Sequence, residues 1–178
     1  MMMHKFLAAN ALGPLSGFAW PVPSSGAPGA WVEVEGPLSP CARGIHACRP
    51  LDLAHWIHDE LWELEADGAQ TAGLDCVVVQ RARLVRRIDA WSAAGKKFAE
   101  ACVDHAAAQL ASIELEREQI SALMADARFM ATHGYVALSA FTAALAVSRL
   151  PAADGSAYRR ERAWQSAWIA DELLAPRP

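Results

Sequence analysis

The stretch Leu74-Asp-Cys-Val-Val-Val79 decides the fold, because it is the most apolar strand-like segment of the chain. Its three consecutive valines favour an extended backbone, and a strand that is apolar on both faces is typical of the middle of a sheet. We therefore expect residues 74–79 to form a central strand that continues toward Leu84.

Shorter strand-like segments precede this stretch. Trp31-Val-Glu-Val-Glu35 and Leu61-Trp-Glu-Leu-Glu-Ala66 alternate apolar and acidic side chains with period two, the pattern of a half-buried strand. Residues 4–9 and 45–48 are two further candidate strands. Residues 50–58 are predicted to form a short helix, because a proline and an aspartate occupy its first turn.

The composition changes near residue 81, where alanine, leucine, glutamate and arginine begin to dominate. These residues have high helix propensity, and Phe98, Cys102 and Ala106 continue an apolar stripe at helical spacing. We predict an α+β fold in which residues 1–80 form a small mixed or antiparallel sheet with one short helix. Residues 81–178 are predicted to form a helical bundle that packs on the sheet as one compact unit.

Charge and hydropathy indicate whether the chain is suited to bind nucleic acid, a phosphate group or a membrane. The net charge of −4 gives no general reason to expect nucleic acid. Residues 81–97 nevertheless carry a net charge of +5 and residues 1–80 a net charge of −6, so this basic stripe could hold a phosphate or pair with acids of the same fold. No run of 18 apolar residues and no signal peptide is evident, so we expect no membrane span and a cytoplasmic protein with reduced cysteines.

Reactive side chains concentrate in Cys41-Ala-Arg-Gly-Ile-His46-Ala-Cys48. A histidine after Gly44, on a strand that precedes a helix, can act as a general acid or base, and Arg43 and Gly44 leave room for a ligand. The opposing interpretation is a histidine bonded to a backbone carbonyl. The spacing does not match a structural zinc site, so we predict no metal there and interpret Cys48 and Cys76 as small buried hydrophobes.

Other residues could complete a site around His46. Glu63 or Glu65, which share one face of a predicted strand, would form an acid–base pair if either met His46. Arg81 or Arg83 could bind the phosphate of a ligand, together with Arg43 and Trp56. The tryptophans of the N-terminal part are predicted to line an aromatic pocket, with a tryptophan-rich core as the alternative: Trp20, Trp31, Trp56 and Trp62.

The segment from Cys41 to Cys48, followed by a short helix and Leu61-Trp-Glu-Leu-Glu, resembles a group of uncharacterised bacterial and phage proteins with a C-x-x-G-[IF]-H-A-C hallmark. That resemblance covers residues 37–66 and implies no activity. The segment is also similar to ADP-ribosyltransferase-like domains, which implies that His46 lies in an NAD-type pocket near Trp56. The sequence departs from that family, because it has no clear Ser-Thr-Ser segment and no Gln/Glu-x-Glu motif near the end of the predicted sheet.

Two functions remain open. The first is a small-molecule enzyme or ligand-binding domain in which His46 acts as general acid/base. Its cofactor is unknown, and the more specific form of this hypothesis has a nucleotide-like or NAD-like ligand. The second is a non-enzymatic interaction protein, in which Ala143, Ala144 and Ala146 allow close helix approach in a homodimer and the Cys41–Cys48 segment is structural.

Overall fold

The computed structural model describes residues 1–111, 117–150 and 155–174. It confirms the α+β class, with antiparallel strands first and helices after them. The strands and short 3₁₀ segments are β1 (Met2–Leu7), a turn at Ala9–Ala11, β2 (Val32–Glu33), β3 (Ile45–Ala47), a helix at Pro50–Trp56, β4 (Glu60–Ala72) and β5 (Val77–Arg87). The helices are α1 (Ala90–Leu110), α2 (Arg117–Thr132), α3 (Val136–Val147) and α4 (Ser156–Leu173).

The chain divides into two compact units, Met1–Ser92 and Ala93–Pro178. The first unit holds the whole sheet. Strand β5 continues past Leu84, which is as far as the sequence indicated, and ends only at Arg87, so the helical part begins later than the change in composition near residue 81 indicated. The prediction that the two halves pack into one unit stays a prediction.

Strand β5 is the central strand, as residues 74–79 indicated. It pairs with β4 along most of its length and with β2 and β3 on its other side. Strand β1 pairs with β4 and is also bridged to the residue after β3, because His4 and Cys48 exchange two backbone hydrogen bonds of 3.0 and 2.7 Å. The sheet therefore closes on itself, helped by two irregularities in the pairing of β4 with β5 that bend the strands.

The inner face of this closed sheet is the core of the first unit. Its members are apolar side chains that alternate along each strand, among them Met3, Leu7, Ile45, Leu64, Val79 and Leu84. The helical unit has its own core, and the predicted stripe of Phe98, Cys102 and Ala106 on α1 is fully buried there. None of the helices in the described ranges is both long and apolar enough to cross a membrane.

Candidate functional site

The backbone before β3 fixes the position of His46. Gly44 has a φ of +126°, and a Cβ atom there would lie only 2.2 Å from Cγ1 of Val78, so glycine alone fits. Strand β3 then sets His46 opposite Val78 of β5. Glycine at this position therefore allows the close approach of the two strands and aims the histidine away from the core.

The His46 ring binds the backbone of its own loop. Its Nε2 atom accepts a hydrogen bond from the Cys41 N–H at 3.1 Å, which makes the ring neutral with the proton on Nδ1. Burial lowers the pKa of His46, the Lys5 charge lowers it further, and a backbone hydrogen bond at Gly44 acts in the opposite direction. The Trp56 ring centroid lies 5.9 Å away. The imidazole thus closes the 41–46 loop and is held in the basic, proton-accepting form.

The two predicted acid partners do not bond to His46. Arg86 binds Glu63 through Nε, at 3.2 Å, and through Nη2, while Arg83 binds Glu65 through Nε at 2.7 Å. The acid–base pair that the sequence suggested is therefore not formed in this structure, because each carboxylate is held by an arginine across the β4–β5 pair.

Sequence reasoning missed the histidine that does lie beside Glu63. His4 of β1 is the register partner of Glu63, and Glu63 is in turn the partner of Arg86. Burial lowers the pKa of His4, the Glu63 carboxylate raises it and the Arg86 charge lowers it again. The His4 Nδ1 atom is buried without a hydrogen-bond partner in the described structure. The sequence indicated that His4 lies on a strand. It contained no pattern that indicated the pairing of this strand with β4.

The cysteines behave as the structural interpretation predicted. Cys48 and Cys76 are buried in the first unit, and burial raises the pKa of Cys48 to about 12 and also raises that of Cys76. Both thiols therefore stay protonated and act as small apolar groups. Cys41 is exposed. Within the described residues, no group of three or more histidine, cysteine or acidic side chains could hold a metal ion.

The basic stripe pairs with the acidic half of the fold. Arg81 lies 3.9 Å from Glu33 and 3.6 Å from Asp67, and the guanidinium groups of Arg81 and Arg83 lie 4.4 and 4.5 Å from the centroid of the Trp31 ring. The predicted phosphate ligands Arg81 and Arg83 thus already have carboxylate and aromatic partners. Arg43 is exposed and lies over Gly36.

A cavity of about 680 Å³ lies at the end of the sheet where β4 begins and β5 ends. Polar and aromatic side chains line much of it: Asn10, Glu60, Trp62, Arg86, Arg87 and Asp89. The Glu60 carboxylate accepts hydrogen bonds from the backbone N–H groups of Asn10 and Ala11 and from Trp62 Nε1, at 3.2, 3.1 and 2.9 Å. Its charge is therefore largely satisfied by local donors.

The predicted pocket tryptophans have separate roles. Only Trp62 lines either this cavity or a smaller one of about 140 Å³ near Met1. Trp20 belongs to the core cluster, and the Trp31 ring makes cation–π contacts with Arg81 and Arg83. Trp56 donates a hydrogen bond from Nε1 to the Asp75 carbonyl at 2.6 Å. His46 lines neither of the two cavities.

The helical unit contains a buried polar cluster that the sequence did not predict. Glu161 is fully buried and accepts from Gln109 Nε2 at 2.6 Å, and its other oxygen lies 3.3 Å from Gln165 Nε2. His105 Nδ1 lies 2.9 Å from Glu161, and its ring stacks on Trp164 with centroids 3.7 Å apart. These contacts pin α1 to α4 within the unit.

The comparisons with known proteins add no name. No family model, no curated protein and no solved structure matches the chain. The resemblances noted on the Cys41–Cys48 segment therefore remain predictions, and the function must be argued from the geometry.

Proposed function

We propose that the strand-rich unit binds a small organic molecule in the 680 Å³ cavity, and that the ligand carries a carboxylate or a phosphate. The observation that carries this proposal is that Trp62 and Arg87, register partners on β4 and β5, line one cavity with Arg86 beside them. Its volume falls within the range of ligand pockets, roughly 300–1,000 Å³. An indole ring supplies a flat apolar wall, and guanidinium groups bind anions with directed hydrogen bonds.

The balance of donors and acceptors favours an anion. The acids at the cavity already accept hydrogen bonds: Glu60 from the backbone and the indole, and Asp89 from Arg87 Nε at 2.5 Å. Each guanidinium has five N–H donors. Within the described residues, Arg86 donates from Nε and Nη2 to Glu63, and Arg87 donates from Nε to Asp89 and from Nη1 to Glu60 at 3.5 Å. Both arginines therefore keep unused donors, and Glu60 is the acid whose acceptor sites are mostly filled.

The existing ion pairs do not bar a ligand. The Arg86 and Arg87 side chains are 63% and 51% exposed. Exposed ion pairs contribute roughly 0–1 kcal/mol, so an incoming anion displaces or shares them at small cost. A nucleotide combines an anionic group with a planar ring and is the first ligand to test.

The experiment is isothermal titration calorimetry of the protein with two ligands, adenosine 5′-monophosphate and adenosine. Both carry the same ring, and only the first carries an anionic group. We expect the monophosphate to bind and the Arg86→Ala/Arg87→Ala variant to bind it at least about tenfold more weakly, since one charge-assisted hydrogen bond contributes ~1.5–3 kcal/mol.

The matched control is Arg81→Ala/Arg83→Ala, which removes the same charge from the same strand but away from the cavity. Equal weakening in both variants would show a general charge effect and contradict the assigned cavity. If neither a nucleotide nor any carboxylate of a small-molecule panel binds, the proposal fails.

A separate catalytic version gives His46 the role of general acid/base toward a ligand bound at the 41–48 loop, because His46 lines neither of the two cavities. Its Nε2 would first have to release the Cys41 N–H, at the cost of one hydrogen bond of 3.1 Å. Conversion of a bound ligand by the wild type, and its loss in His46→Gln with binding unchanged, would support this version. Unchanged turnover in His46→Gln would rule it out.

The alternative function is self-association through the helical unit. Ala143, Ala144 and Ala146 are fully buried within the chain, so they pack inside it and are not available to a second copy. The apolar surface lies instead on the other face of α3, where Leu138 and Phe141 are exposed. Sedimentation would test this: a dimer that Phe141→Glu dissociates favours association, and a monomer at high concentration contradicts it.

A further inference from the structure

Lys5 occupies an unusual place for a lysine. It lies on β1 between Met3 and Leu7, which share its side of the strand and belong to the core of the closed sheet. Its register partner on β4 is Trp62, which is also in that core. The ammonium of Lys5 is thus set among apolar side chains, while the residue as a whole keeps partial exposure.

The contacts of Nζ do not include a counter-ion. The group donates to the His46 carbonyl at 2.6 Å and lies 5.3 Å from the centroid of the Trp20 ring. Within the described residues, no carboxylate lies within salt-bridge distance of it. A carbonyl and an aromatic face stabilise a cation less than a carboxylate does, so the equilibrium shifts toward the neutral amine relative to a lysine in water.

The other two lysines of the chain have the opposite environment. The Lys96 and Lys97 side chains are 70% and 66% exposed and pair with Glu100 and Glu172 at 3.9 and 3.1 Å. Burial lowers the pKa of Lys5 to about 8, against a weaker opposite effect of the Cys48 and Cys76 thiols. At neutral pH the fraction of free amine at Lys5 is therefore far larger than at an ordinary lysine in water.

We propose that Lys5 is a nucleophilic amine site that takes small aldehydes and ketones as an imine. The lone pair of Nζ attacks the carbonyl carbon, a C–N bond forms and the oxygen becomes the hydroxyl of a carbinolamine. The nitrogen then gives up its second proton, the hydroxyl leaves as water and the C=N bond forms. No oxidant or reductant is needed, and the apolar surroundings slow the return of water to the imine.

The test uses the wild-type chain, in which the two surface lysines are internal controls. The folded protein is treated at pH 7 with propanal and cyanoborohydride, which delivers hydride to the imine carbon and fixes the alkyl group on nitrogen. Peptide mass spectrometry then gives the extent of alkylation at each lysine, with fragment ions that separate Lys5 from the Met1 amine.

We expect Lys5 to be alkylated about tenfold faster than Lys96 or Lys97. A pKa near 8 leaves about a tenth of the amine free at pH 7, against less than a thousandth for an ordinary lysine, and the lower basicity offsets only part of this gain. In denaturant the preference should vanish. Equal or slower alkylation of Lys5 in the folded chain overturns the proposal.

A variant at Lys5 distinguishes alkylation of this amine from alkylation of the other amines of the chain. Lys5→Arg keeps a cation that can donate to the His46 carbonyl, and it should lose the Lys5 adduct while Lys96 and Lys97 react as before. If that variant does not fold, the comparison of the three lysines in the wild type still decides. The proposal does not rest on the anion cavity, because neither outcome requires a ligand there.

Discussion

Replacing Lys5 by methionine tests how strongly the core disfavours its charge. Methionine keeps an unbranched side chain of similar length and removes the ammonium. Burial lowers the pKa of Lys5 from 10.5 to about 8. The folded chain therefore releases this proton near pH 8, whereas the unfolded chain keeps it up to about pH 10.5.

The sign follows from proton linkage. Between these two values the unfolded state binds more protons, so the free energy of unfolding of the wild type rises with pH. The two pKa values give a gain of about 2–3 kcal/mol between pH 7 and pH 10. Lys5→Met lacks this gain, so its stability relative to the wild type should fall by about that amount over the same range.

Urea denaturation followed by circular dichroism at pH 7, 8, 9 and 10 measures this difference. Comparing the two proteins at each pH cancels the titration of groups that the Lys5 charge does not affect. Burial holds the pKa of His46 below 6.5 and raises that of Cys48 to about 12, and the Lys5 charge lowers both, so both groups titrate outside the range of the assay. Lys96→Met is the matched control, because its ammonium is exposed and its difference from the wild type should not vary with pH. A constant difference for Lys5→Met would refute the claim that the ammonium is desolvated.

Three further variants or reagents test other parts of the structure. Gly44→Ala should cost at least about 2–3 kcal/mol in urea denaturation, because its Cβ would meet Val78 and its φ is positive. Glu161→Ala should cost about 3 kcal/mol, because it removes the acceptor shared by buried Gln165 and half-buried Gln109 and His105. Glu172→Ala, at an exposed position, should cost under about 0.5 kcal/mol. A thiol reagent should modify Cys41 alone in the folded chain and all four cysteines in denaturant; two or more fast thiols in the folded chain would contradict the burial described here.

The sequence predicted the strands better than it predicted where they end. Alternation and a run of valines correctly located β4 and β5, because burial on one or both faces leaves a direct trace in the side-chain pattern. The end of β5 was missed because alanine, leucine and arginine in residues 81–87 have high helix propensity. Ala82 and Leu84 are buried with Arg81 and Arg83 between them, so the period of two was present and propensity masked it.

The sequence also found Glu63 as a candidate but assigned it the wrong neighbour. Periodicity assigns a residue to a face of its strand, but it does not say which strand lies beside it. The pairing of β1 with β4 sets His4 next to Glu63, while His46 lies on β3, which pairs with β5. A carboxylate and a histidine on alternating strands can be recognised in a sequence, whereas their meeting depends on the register of distant strands.

The environment of Lys5 depends on the same long-range pairing. A lysine between Met3 and Leu7 on an edge strand would normally extend its amine into water along the apolar surface. Here β1 is not an edge strand, because the backbone of His4 bonds to Cys48 and closes the sheet. That closure brings the His46 carbonyl within 2.6 Å of Nζ and surrounds the amine with apolar side chains, while Lys5 keeps partial exposure. The reactivity proposed for Lys5 is thus a consequence of sheet closure, and a variant that opened the sheet at β3 should abolish it while leaving Lys96 and Lys97 unchanged.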